Sequence, residues 1–246
     1  MKTMNRSDKT VLILGASGGI GSACARKFSA AGYACALQYH QNKAAIDALC
    51  AELPNAHALC ADLRNASEAR RLVSLAEYRL GAIDSIVYCA GTAQQKPFSD
   101  TTDEDFLSMY ELHVMDAVRV VRAALGGMID RGGGNIVLFS SMWGQVGGAA
   151  ESAYSAAKGA VISLTRALAK ELGVYQIRVN CVSPGLIDTP MNAMFSEDDL
   201  RPVVDATPLG RAGTPEEAAA CALFLCESDA SFVTGQVLSP NGGFVI

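Results

Sequence analysis

Short apolar runs alternate with longer, helix-patterned stretches along the whole chain, and this alternation limits the fold more than any other feature. TVLIL (10–14) has no polar face to give to water, so it reads as a strand buried on both sides. A helical stretch follows at 19–32, with Gly32 placed to close it. YACALQY (33–39) is the next strand and NKAAIDALCAEL (42–53) the next helix. AHALC (56–60), DSIVYCA (84–90), NIVLFSS (135–141), IRVNCVS (177–183) and a short QVLS (236–239) continue the strands. Helical patterns fill the gaps, most extensively at 103–131 and 152–172.

Strands separated by helices form βαβ units, whose right-handed crossovers give a parallel sheet covered on both faces. The expected fold is therefore α/β: one Rossmann-type doubly wound domain over residues 1–246, with about seven strands. The segment 185–213 has the weakest strand signal and mixes Pro, Met and acids, which reads as an inserted substrate flap rather than a second domain. Half of the 246 residues are hydrophobic and 18% are charged, so the chain can bury a sizeable core. Net charge is −5 and no basic run occurs, which leaves nucleic-acid binding without an electrostatic footprint. The start MKTMNRSDK is polar and does not resemble a signal peptide, and no apolar run approaches the ~18 residues of a membrane span. A soluble, cytoplasmic protein is expected. The eight cysteines form no C-x-x-C pair and several lie in apolar runs, which fits buried free thiols in a reducing compartment. The three histidines are scattered at 40, 57 and 113, which speaks against a metal site.

VLILGASGGIG places Gly15, Ser17, Gly18, Gly19, Ile20 and Gly21 between the first strand and the first helix. Glycines let the backbone approach a pyrophosphate, and the helix N-terminus offers free N–H groups and the positive end of its dipole. The ribose end is read about 20 residues later, where an acid favours NAD and its absence, with a base nearby, suits a 2′-phosphate. Here that stretch is LQYHQNK, with Tyr39, His40 and Lys43 as candidates and no acid before Asp47. The cofactor expected is NADP(H), with NAD(H) still possible because Lys43 also reads as an ordinary solvated lysine. Asp62 and Leu63 after the third strand, and Cys89, Ala90 and Gly91 after the fourth, fall where loops of this fold meet a dinucleotide.

Tyr154 and Lys158, in AYSAAKGA, are four apart on a helix and share a face. An ammonium beside a phenol stabilises the phenolate and lowers its pKa, bringing it toward acid–base use. Ser141, closing IVLFSS, sits at the carboxyl edge of the sheet and can donate a hydrogen bond to a carbonyl oxygen.

Taken in order, LGASGGIG, CADL, YCAG, Ser141, YSAAK, VNCVSPGLIDT and SPNGG resemble the classical short-chain dehydrogenase/reductase family over essentially the whole chain. The resemblance implies Tyr154 as general acid, Lys158 lowering its pKa and binding the nicotinamide ribose, and Ser141 orienting the carbonyl. It also implies that Pro184, Gly185, Ile187 and Thr189 line the nicotinamide. His113 stands where the family usually has an asparagine that holds a water in the proton relay. Gly18 stands where many NADP-dependent members carry an arginine. Within the family the chain looks most like bacterial 3-oxoacyl-acyl-carrier-protein reductases of fatty acid biosynthesis, acting on a small or carrier-bound carbonyl and commonly homotetrameric. SSMWGQ, MNAMFSEDDL and His113 also resemble reductases of the 5-aminopentanone-modified lysine of elongation factor P, whose cationic substrate Glu197, Asp198 and Asp199 could attract. Ser196 followed by these acids equally reads as a plain helix N-cap. A catalytically silent nucleotide-binding regulator is the reading from another class, and intact Ser141, Tyr154 and Lys158 argue against it.

Overall fold

The computed structural model describes residues 9–193 and 195–246. The polar N-terminal stretch, with the signal-peptide reading it carries, and Met194 of the expected flap lie outside them. In chain order the elements are β1 (Thr10–Leu14), α1 (Gly19–Ala30), β2 (Ala34–Tyr39), α2 (Lys43–Glu52), β3 (Ala56–Cys60), α3 (Ala66–Leu80) and β4 (Ser85–Tyr88). Then follow α4 (Asp103–Tyr110), α5 (Asp116–Arg131), β5 (Gly134–Phe139), α6 (Met142–Val146) and α7 (Ser152–Leu172). The chain closes with β6 (Ile177–Val182), α8 (Glu197–Asp205), α9 (Pro215–Cys226) and β7 (Val237–Leu238).

The strands form one parallel sheet in the order β3-β2-β1-β4-β5-β6-β7. Every residue of β1 and β2 is buried, because both strands are covered on both faces. The alternation along β1 is visible in the core itself. Leu12 and Leu14 pack on one side with the apolar faces of α3, α5 and α7; Val11 and Ile13 pack on the other with α1, α2 and α9. The order reverses between β1 and β4, and in such sheets the crevice beyond the strands' carboxyl ends at that reversal receives ligands. All eight cysteines are free, and no helix of the described residues is long and apolar enough to cross a membrane.

Two segments depart from the expected outline. The helix expected over 103–131 is continuous but contains a π-helical turn at Glu111–Met115. Such single-turn bulges rotate one side chain off the regular period and concentrate at functional sites. The strand expected over 135–141 ends at Phe139, so Ser141 lies two residues beyond it and caps α6, its Oγ accepting from the Trp143 N–H at 3.2 Å. The 185–213 segment carries α8 and is closed at its base by a parallel bridge between Ile187 and Gly213.

Candidate active site

The glycine turn is built by close contact. Gly15 has φ +73°, and a Cβ there would lie 2.6 Å from the Ala90 Cα, so the turn after β1 and the loop after β4 touch backbone to backbone. A Cβ on Gly19 would meet the Thr189 side chain at 2.8 Å, which brings the 185–213 segment against the same turn. Gln38, which sequence reasoning did not single out, fixes the geometry: its Oε1 accepts from the Gly15 N–H at 2.9 Å and its Nε2 donates to the Ala61 carbonyl at 2.8 Å. A buried amide in the middle of an otherwise apolar strand is the signal that could have found it.

No side chain caps α1, and its first backbone bond runs from the Ser22 N–H to the Gly18 carbonyl. The N–H groups of Gly19, Ile20 and Gly21 have no acceptor among the described residues. A turn without Cβ atoms, free N–H groups and a helix dipole fit a dinucleotide pyrophosphate. The ribose end is less open than the sequence suggested. Lys43 is paired with Asp47 at 2.5 Å, and Asn42 caps α2. Tyr39 is buried, and His40 Nε2 lies 3.8 Å from Asp62. Arg64 holds Asp62 through two hydrogen bonds of 2.9 and 2.7 Å and takes its carboxyl down to about 2.

A cavity of about 250 Å³ opens beside this turn, and Ser141, Tyr154, Lys158 and His113 all line it. Cys89, Gly91, Pro184, Gly185, Ile187 and Thr189 share its wall. The helix α7 supplies Tyr154 and Lys158 from its buried face. It is pinned to the end of β5 by the Ser140 hydroxyl, which donates to the Lys158 carbonyl at 2.8 Å. Gly144 allows the approach: a Cβ there would sit 2.7 Å from the Lys158 backbone carbon. Gln145 ties α6 to the far wall by donating to Ser183 at 2.7 Å.

The Tyr154 phenol is pushed up to about 12. Burial is the main cause, and the Ser141 hydroxyl offsets it only in part. The Lys158 ammonium is held by the Phe139 carbonyl at 2.9 Å, lies 5.6 Å from the Tyr154 ring centre, and is itself pushed down to about 8 by burial.

His113 reaches the site from the π turn. Its ring stands edge-on to Tyr154 with centres 5.3 Å apart, and its Nε2 lies 2.9 Å from the Thr92 carbonyl. Burial, and then the nearby Lys158, hold the imidazole well below its ordinary pKa, so it is neutral. A carbonyl only accepts, so Nε2 carries the proton and Nδ1 is a bare acceptor. That Nδ1 is buried without a hydrogen-bond partner among the described residues, facing the position of a Gly91 side chain.

The comparisons with known proteins bear on the whole chain. The family model described as Enoyl-(Acyl carrier protein) reductase matches residues 15–245. The chain belongs to the classical short-chain dehydrogenase/reductase family of oxidoreductases. An uncharacterized oxidoreductase YmfI of Bacillus subtilis is 39% identical over 242 residues, covering 96% of this chain and 99% of that protein. The 3-oxoacyl-[acyl-carrier-protein] reductase FabG of Thermotoga maritima is 33% identical, covering 99% of this chain and all of that protein. Among solved structures, a 7α-hydroxysteroid dehydrogenase complexed with NADH and 7-oxo glycochenodeoxycholic acid superposes with a TM-score of 0.92 at 32% identity, covering 96% of this chain and 94% of that one. As a short-chain dehydrogenase/reductase, the chain binds a nicotinamide cofactor.

Of Glu197, Asp198 and Asp199, only Asp199 lines the cavity. Its carboxylate is already committed to a capping box, accepting from the Ser196 N–H at 2.9 Å and the Ser196 hydroxyl at 2.7 Å. Ser196 and its acids are therefore a helix start. Sequence reasoning also passed over Trp143 and Glu151, which line the cavity beside Tyr154.

Proposed function

We propose that this protein is an NADPH-dependent carbonyl reductase in which Tyr154 is the general acid, with 3-oxoacyl thioesters as its first substrate class. The observation that carries this reading is the buried, protonated Tyr154 phenol beside Ser141 and Lys158 in one cavity that opens on the glycine turn. When bound, the nicotinamide supplies the hydride that a carbonyl carbon accepts. Gly15, Ser17, Gly18, Gly19, Ile20 and Gly21 hold the pyrophosphate; Asp62, Leu63, Ala90 and Gly91 flank the nucleoside; Pro184, Gly185, Ile187 and Thr189 border the nicotinamide. The Ser141 hydroxyl orients the carbonyl oxygen, and the Tyr154 proton moves onto that oxygen as the alkoxide forms. Lys158 holds the ribose and shares the charge left on the phenolate. His113, neutral and with Nδ1 free to accept, positions a water behind Lys158 for reprotonation. The 185–213 segment, closed at Ile187 and Gly213, acts as the substrate flap.

NADPH is preferred because no carboxylate follows β2 before Asp47 to repel a 2′-phosphate. The names of the relatives support the substrate class: carrier-protein reductases recur among them. A cytoplasmic homotetramer is the assembly proposed, with exposed Leu107 and Tyr110 of α4 and Phe224 of α9 available for subunit contacts.

The pH dependence tests the acid directly. A phenol held near 12 is protonated at neutral pH. Ketone reduction then runs at a rate independent of pH through neutrality and falls only as the phenol ionises in alkali. The reverse oxidation needs the phenolate, so it climbs about tenfold per pH unit through the same range. Steady-state rates in both directions check this, and a reduction rate that rises with pH contradicts it.

A further inference from the structure

Two thiols that the proton transfer does not use face each other beneath the glycine turn. The Cys89 Sγ–H donates to the Cys24 Sγ at 3.9 Å. No other pair of cysteines among the described residues is within hydrogen-bonding reach. The two sulfurs come from opposite sides of the point where the strand order reverses. Cys24 lies in the second turn of α1, the helix that follows the glycine turn, and is fully buried. Cys89 follows β4, is half-buried and lines the cavity. The loop that carries it has little room. The Cys89 N–H donates to the Leu14 carbonyl at 3.0 Å, a Cβ on Gly15 would lie 2.7 Å from the Ala90 nitrogen, and a Cβ on Gly91 would lie 2.5 Å from the His113 ring. Residues 89–91 are therefore wedged between the glycine turn and the π turn.

We propose that Cys24 and Cys89 form a redox modification site, at which hydrogen peroxide converts the thiol pair to a disulfide that disables the nucleotide cradle. Cys89 is the sulfur that a small oxidant reaches through the cavity. It attacks the peroxide O–O bond and becomes a sulfenic acid, while its thiol proton and the departing hydroxide leave as water. The Cys24 sulfur then displaces the hydroxyl from Cys89. The S–S bond forms, the S–O bond breaks, and the Cys24 proton leaves with the hydroxyl as a second water. The sulfurs give up two electrons in all, and the peroxide takes them. The hydrogen bond from Cys89, and then burial, hold the Cys24 thiol well above its ordinary pKa, which makes it the resolving sulfur and not the one first oxidised. The site goes beyond the reductase reading and stands on nucleotide binding, not on any carbonyl.

A disulfide holds its sulfurs about 2.05 Å apart, so the pair must close well inside its present 3.9 Å. Cys24 sits in a buried helical turn within the apolar layer beside Phe28 and Ala222, so the closure falls on residues 89–91. Any movement of that loop disturbs the Gly15–Ala90 contact on one side and the Gly91–His113 contact on the other. Gly15 in turn carries the carbonyl against which Gly21 is packed, so the N–H groups at the start of α1 lose their alignment. In a reducing compartment such a disulfide is transient and serves sensing, and thiol exchange restores the cradle.

The test treats the purified protein with hydrogen peroxide, maps its disulfides by mass spectrometry, and titrates NADPH before and after dithiothreitol. The wild-type protein is expected to form a Cys24–Cys89 disulfide, to lose NADPH affinity by about tenfold or more, and to regain it on reduction. Cys24→Ala, which removes only the resolving thiol, should bind NADPH like the wild type before oxidation. After peroxide it should form no disulfide, carry a Cys89 sulfenic acid that a cyclic 1,3-dione labels, and keep its affinity within about threefold. If that variant fails to fold, the disulfide map and the reversible affinity loss of the wild-type protein decide alone. No disulfide, one that joins other cysteines only, or a Cys24–Cys89 disulfide that leaves NADPH affinity unchanged overturns the proposal. Nucleotide titration needs no carbonyl, so a failure here leaves the reductase reading intact, and a protein that reduces no carbonyl still submits to this test.

Discussion

Replacing Tyr154 by Phe lowers the rate of ketone reduction by roughly 10²–10⁴-fold, the span that a positioned general acid contributes. Nucleotide affinity stays within about threefold, a difference of only ~0.6 kcal/mol. The reason lies in what the substitution removes. Tyr154 is 9% exposed and packs with Met109, Ala153 and Ala157, so the ring keeps its contacts with those residues and with His113 when the hydroxyl is lost. The glycine turn, on another element, is untouched. Only the proton donor and its hydrogen-bonding relation to Ser141 disappear. Rates and nucleotide titration on the same preparation separate these effects. A variant that keeps most of its activity removes Tyr154 from the mechanism, and one that loses nucleotide binding as well assigns it a structural role.

The second large effect is expected at Gly21. A Cβ there would overlap the Gly15 carbonyl oxygen, and would stand 2.8 Å from the Gly15 carbonyl carbon and 2.9 Å from the Ala16 Cα. These are backbone atoms of the turn itself, so no rotamer change relieves the clash. Gly21→Ala should cost about 1–3 kcal/mol or more in stability, as overpacking does. For a chain of this length that lowers Tm by roughly 2–4 °C per kcal/mol. Because the atom that must move is the carbonyl of Gly15, the cradle of N–H groups opens and nucleotide binding is lost. Gly126→Ala is the control: a Cβ in the middle of α5 meets nothing within 4 Å, so stability should hold or rise slightly. Thermal unfolding with and without nucleotide checks both variants. Wild-type melting and affinity in Gly21→Ala would contradict the contact geometry.

The fold was legible because its signal is hydrophobic and local. β1 and β2 are wholly apolar runs or nearly so, and a strand buried on both faces needs nothing more to declare itself. α7 coincides with the stretch expected at 152–172, since its apolar positions recur at helical spacing from Ala153 to Leu172. The parts that were not legible depend on long-range packing. No local pattern announces the π turn at Glu111–Met115, which is what aims His113 at Tyr154. Gln38 reads as one polar residue in a strand until the Gly15 N–H and the Ala61 carbonyl are brought to it from other elements. For Tyr154, spacing shows that Lys158 shares its face but not that burial pushes the phenol up, nor that the Phe139 carbonyl holds the ammonium. Among the acids, the cluster at 197–199 stands out in the sequence, while no local pattern marks the single Glu151 that lines the cavity.

The most direct measurement is nucleotide consumption by the purified protein across a panel of carbonyls, with acetoacetyl thioesters and the aminopentanone-modified elongation factor P as its two informative members. The account predicts oxidation of NADPH, and slower oxidation of NADH, with one equivalent of alcohol formed per nucleotide spent on at least one member of the panel. Tight nucleotide binding with no turnover of any carbonyl would contradict it, and would leave a nucleotide-binding regulator in place of an enzyme.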